Sequence, residues 1–114
     1  MLLFRMYALL TNPDGNPITS EQAMRTGPAL VEASERAARI LTDPDTGMWA
    51  ALAAVEISDA GARLEFAVRA PEHPGGMARL RTAVDGVADG AGLATAALLY
   101  QPAAPDDPLH DIDF

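Results

Sequence analysis

Two alternating runs joined by a tight turn constrain this chain more than any other feature. Residues 48–58 read MWAALAAVEIS, and residues 62–70 read ARLEFAVRA, with Asp59-Ala60-Gly61 between them. In the first run Trp49, Ala51, Ala53, Val55 and Ile57 share one face. Ala50, Leu52, Ala54, Glu56 and Ser58 share the other. In the second, Leu64, Phe66 and Val68 alternate with Arg63, Glu65 and Arg69. A period of two is the mark of a strand with one face buried. A turn at Ala60-Gly61, or a loop from Asp59 to Ala62, pairs Ser58 with Arg63, Ile57 with Leu64 and Val55 with Phe66. The two apolar faces then coincide, and a slip of one residue would separate them.

The opening MLLFRMYALL alternates in the same way. Leu2, Phe4, Met6, Ala8 and Leu10 face one side; Leu3, Arg5, Tyr7, Leu9 and Thr11 face the other. Arg5 interrupts the apolar run and no small-residue cleavage site follows, so the segment reads as a strand and not as a secretion signal. A membrane-spanning helix needs about 20 apolar residues, which no stretch supplies. A cytoplasmic protein is expected. The NPDGNP stretch, Asn12 to Pro17, is a dense turn signal.

Helical periodicity follows. Thr19-x-x-Gln22 fits a capping box, and Gly27-Pro28 interrupts the pattern. A short turn at 20–25 and a main helix at 28–42 are therefore expected, with Leu30, Ala33, Ala37 and Leu41 facing inward. Met77, Leu80, Val84, Val87 and Ala91 recur at spacings of three and four and predict a second helix over 74–91. Gly90 or Gly92 can end it. LATAALLYQ, 93–101, reads as a last strand. The order β-α-β-β-α-β is that of the ferredoxin-like α+β fold: a four-stranded antiparallel sheet with two helices on one face. Residues 1–101 form this single domain. Residues 102–114 form an acidic, proline-rich tail expected to be extended.

Composition narrows the chemistry. The chain has no cysteine, so disulfides, thiolate metal sites and cysteine nucleophiles are excluded. All eight basic residues are arginine, and alanine is abundant, a composition that fits a bacterial genome of high GC content. The net charge of −8 repels phosphate backbones and anionic lipid, so neither nucleic acid nor membrane is an expected partner, and a basic protein is favoured. The one aromatic residue of 62–70, Phe66, faces inward in this register, which argues further against RNA.

The sheet face away from the helices is the expected working surface. It carries Leu3, Arg5, Tyr7, Leu9, Leu52, Glu56, Arg63, Glu65, Arg69, Thr95, Leu99 and Gln101 in the register above. Four leucines on a face turned to solvent predict a partner surface or sheet-on-sheet homodimerisation, with the tail folding over the sheet as the competing outcome. In the tail, Leu109, Ile112 and Phe114 alternate with acids and suggest a short docking strand.

The other motifs carry less. Asp106, Asp107, His110, Asp111 and Asp113 are metal-ligand types but read as solvated tail acids, so no metal or other cofactor is expected. Asp43-Pro44-Asp45 resembles the start of a calcium loop, yet Ala54 stands where the bidentate glutamate is due. His73-Pro74-Gly75-Gly76 reads as a plain turn before a helix. Glu56, if buried beside Tyr7, is a candidate general base. The first reading is a non-catalytic protein-binding module of accessory or immunity type. It would bind through Arg5, Tyr7, Leu52, Glu56, Arg63, Glu65, Arg69 and Leu99, or through the tail. The second is a small dimeric enzyme or ligand-binding protein with a cavity at the same face.

Overall fold

A computed structural model describes residues 2–71 and 74–112 of the 114. The elements run β1 (Leu2–Thr11), α1 (Ser20–Leu41), β2 (Trp49–Ser58), β3 (Gly61–Ala70), α2 (Pro74–Gly90) and β4 (Ala94–Pro102), followed by a 3-10 turn (Pro108–Asp111). The sheet order is β2-β3-β1-β4, and each pairing is antiparallel. This is the expected α+β, ferredoxin-like arrangement, with the core between the sheet and the two helices. No helix among the described residues is long and apolar enough to cross a membrane.

The core follows the alternation. Phe4, Met6, Ala8 and Leu10 of β1 and Leu64, Phe66 and Val68 of β3 are buried against Leu30, Ala38 and Leu41 of α1 and Leu80, Val84 and Val87 of α2. β1 and β3 are the central strands, so their apolar faces are covered most completely. Ile18 and Leu93, from the segments between elements, also belong to the cluster.

Four local expectations are corrected. First, α1 is continuous through Gly27-Pro28. Pro28 removes one helical hydrogen bond, but that bond belongs to Met24, which lies outside at 81% exposure, where water can satisfy its carbonyl. Gly27 lacks the Cβ that would clash with the proline ring. Second, the Thr19 hydroxyl does accept from the Gln22 N–H at 3.1 Å, but the Gln22 side chain pairs with Asn12 and leaves the capping box half closed.

Third, the hairpin turn is Asp59-Ala60, so Ser58 pairs with Gly61, Ile57 with Ala62 and Val55 with Leu64. This differs from the expected pairing by two residues, and side-chain parity survives. Fourth, parity does not survive beyond Ala53. The register shifts between Leu52 and Ala54, and Leu52 pairs with Phe66 on the helix side. Trp49 and Ala51, expected in the core, turn to the open face opposite Arg69 and Ala67. The Ala50–Ala54 run offers only one large side chain, so its own packing preference cannot resist an inserted residue. A second shift, between Leu9 and Leu10, leaves Ala96 unpaired in β4 and turns Thr95 toward α2, where its hydroxyl donates to Asp85 at 2.8 Å.

Helix α2 ends as expected at glycine. Gly92 takes φ 73°, and the Leu93 N–H donates to the Ala88 carbonyl at 2.8 Å, closing the helix end.

Candidate functional site on the open sheet face

Odd-numbered residues of β1 and β3 point away from the helices. Arg5 lies between Ala67 and Gln101, Tyr7 between Glu65 and Leu99, and Leu9 between Arg63 and Ala97. The strand register alone therefore gathers Arg5, Tyr7, Arg63, Glu65 and Leu99 into one patch, as the alternation predicts. Arg69 faces the same side, between Leu3 and Trp49, and is engaged with neighbours. Glu56 pairs with Arg63 at the β2 edge and is exposed. It is neither buried nor beside Tyr7, so it lacks the setting a general base would need. Leu52 has left the patch for the opposite face.

The polar groups of the patch partner one another. The Arg5 guanidinium donates through Nε to Asp107 Oδ2 at 3.1 Å and through Nη2 to Asp107 Oδ1 at 2.8 Å. Its Nη1 lies 3.6 Å from Glu65 Oε2. The Arg63 guanidinium stacks 5.1 Å from the centre of the Tyr7 ring, within cation–π range. These contacts set the ionisation of the cluster. Hydrogen bonds from Arg5, then from the Leu109 N–H, hold the Asp107 carboxyl at about 2. The bond to Asp107 raises Arg5. Partial burial, then the neighbouring Glu65 carboxylate, raises Tyr7 and keeps its phenol protonated.

Asp107 joins the patch from the tail. The chain leaves β4 with the Ala103 N–H donating to the Leu3 carbonyl at 3.0 Å, then turns across the sheet until Asp107 meets Arg5. There Asp107 caps the 3-10 turn by accepting from the Leu109 N–H at 2.9 Å. Leu109 is 1% exposed and lies outside the helix-side core cluster, as does the buried Ala67 opposite Arg5. Ala67 lies on the open face of the sheet, and Leu109 is buried in the turn that Asp107 ties to Arg5. The expected docking strand is thus a capped turn: Leu109 anchors it, Ile112 is exposed, and Phe114 lies outside the described residues, as do Asp113 and His73. Of the tail acids, sequence reasoning singled out none as a partner of Arg5. No local signal exists for a contact between residues 102 positions apart.

Among the described residues, the tail meets the patch at its Arg5 end. Toward the other end Leu9 is 36% exposed and Leu99 61% exposed, beside the Tyr7–Arg63 stack. Between α1 and the sheet, the gap lined by Ile18, Leu30, Ile57 and Leu93 has no volume a water could occupy. The larger hollows lie outside. One is an open groove of about 280 Å³ along α1 and α2, lined by Ala33, Ala37, Ile40, Ala83, Gly86 and Val87. Asp43 closes its own turn, accepting from the Asp45 and Gly47 N–H groups, the latter through its carbonyl. No cluster of three or more metal-ligand types that could hold a metal occurs among the described residues.

No family model and no curated protein matches the chain. Among solved structures, a protein of methicillin resistant Staphylococcus aureus, named provisionally as an aminohydrolase, aligns with a TM-score of 0.48 at 15% identity. The alignment covers 93% of this chain and 30% of that one, so this chain spans under a third of the other's length. At that level the likeness carries no argument about activity.

Proposed function

We propose that this chain is a non-catalytic protein-binding module whose partner docks on the uncovered end of the open sheet face. The observation that carries the reading is the pairing of exposed Leu9 and Leu99 with polar neighbours already engaged with one another. A catalytic or ligand pocket presents unsatisfied polar groups converging on a concave, water-excluding space. Here the arginines are held by Asp107, Glu65 and Tyr7, and the surface around them is a pleated sheet. Exposed leucines ringed by an arginine and a tyrosine have the composition of an interface core. The net charge of −8 favours a partner of basic character and speeds its approach.

The test is an affinity measurement with a purified partner, recovered on the wild-type chain and identified by mass spectrometry. Leu9→Arg and Arg63→Glu should each weaken binding by roughly tenfold or more. Added salt should slow association. A partner indifferent to both substitutions would overturn the proposal, and so would a metabolite whose binding both abolish.

A further inference from the structure

We infer that the free edge of β4 is a self-association site, where a second copy of this chain adds its own β4 antiparallel to make a continuous eight-stranded sheet. The two edges of the sheet differ. At the β2 edge the Thr42 hydroxyl accepts from the Ala50 N–H at 3.2 Å and lies 3.2 Å from the Ala50 carbonyl, so the outward-facing backbone groups of Ala50 are already bonded. The irregularity at Ala53 bends the same edge. These are the devices that blunt an edge strand.

Among the described residues, β4 has no such protection between Ala97 and Gln101. The Ala103 N–H bonds to Leu3, so in the alternating ladder Leu99 and Gln101 turn their backbone groups toward β1. Leu98 and Tyr100 then turn theirs outward, and the sheet ends there among the described residues. The described part of the tail crosses inward to Arg5, away from this edge. No residue from Ala94 to Pro102 is acidic or basic, so two copies of a chain of charge −8 meet here with the least repulsion.

The limits of the free stretch also select a register. Pro102 has no N–H to offer, and Ala96 is the unpaired residue of the β4 bulge. A two-fold axis at Leu99 pairs Leu98 with Tyr100 of the partner subunit and Tyr100 with Leu98 of the partner subunit. It sets Pro102 against the bulge at each end, where no hydrogen bond is lost. Leu99 then meets its own copy in a non-hydrogen-bonded pair, with Cα atoms about 4.5 Å apart. That contact would cover the most exposed leucine of the chain.

Because the chain has no cysteine, a single introduced thiol reports this geometry in the full-length protein. Leu99→Cys should oxidise to a covalent dimer, since the expected spacing lies within disulfide range. Ala97→Cys should not, because its expected neighbour is Gln101 of the partner subunit. Sedimentation should show wild-type dimers, and Leu99→Lys and Leu99→Glu should each weaken them by roughly tenfold, the equimolar mixture recovering a dimer. Circular dichroism confirms that each variant is folded. The edge contact shares Leu99 with the sheet-face proposal but does not use Leu9, so Leu9→Arg should leave the dimer intact. A monomeric wild type, equal cross-linking of Ala97→Cys and Leu99→Cys, or a dimer lost on Leu9→Arg would overturn the inference.

Discussion

Gly61 and Ser34 show how single positions answer to their surroundings. Gly61 sits at φ 150°, and a Cβ there would lie 2.7 Å from the Leu10 carbonyl oxygen and 2.9 Å from a Leu9 methyl. Gly61→Ala should therefore lower stability by about 1–3 kcal/mol, measured by urea denaturation; an unchanged midpoint would refute the close approach. Ser34 lies in the middle of α1, fully buried, and its hydroxyl has no hydrogen-bond partner. Ser34→Ala removes an unmatched polar atom from an apolar setting and raises helix propensity. It should be neutral or stabilising by up to about 2 kcal/mol. A clear loss of stability in the same assay would mean that the hydroxyl is bonded after all.

Among the elements, the tail makes the sharpest claims. Its attachment rests on the two Arg5–Asp107 hydrogen bonds and on buried Leu109. Asp107→Asn, Arg5→Gln and Leu109→Ala should each raise amide exchange at residues 103–112 while leaving β1 and β3 protected. Uniform loss of protection would show that the tail is integral to the fold. The pH response has a definite sign. The folded-state carboxyl of Asp107, at about 2, lies below its ordinary value. Its contribution to docking is complete above the unfolded value near 4 and is lost as pH falls through about 2. Exchange in the tail should therefore be flat across neutral pH, after correction for intrinsic rates, and rise only in strong acid. Release near pH 6 would mean that another group holds the tail.

Taken whole, the molecule is a filled two-layer core with one half-covered sheet face and two unlike edges. Leu30→Ala or Leu80→Ala, each fully buried between layers, should cost about 2–5 kcal/mol in equilibrium unfolding. Leu99→Ala should cost little, because Leu99 packs against solvent in the single chain. A dimer changes that expectation. If copies join through β4, the thermal midpoint of the wild type rises with concentration and that of Leu99→Lys does not.

Side-chain parity in β1 and β3 was determined by the sequence alone. Phe4, Met6, Leu64 and Phe66 are large, and only one face can bury them all. The gathering of Arg5, Tyr7, Arg63, Glu65 and Leu99 follows from the same alternation; the element order and a glycine stop for α2 were legible from periodicity, with Gly92 over Gly90 settled by the fold. The tertiary structure decided what small side chains leave open. The Ala50–Ala54 run packs almost equally well in either phase, so the bulge that moves Leu52 inward and Trp49 outward was settled by tertiary packing, not by the run itself. The Pro28 interruption is tolerated because it falls on the water-facing side of α1. Asp107 finds Arg5 only after the chain has folded back on itself, since an ion pair 102 residues apart leaves no mark on local periodicity.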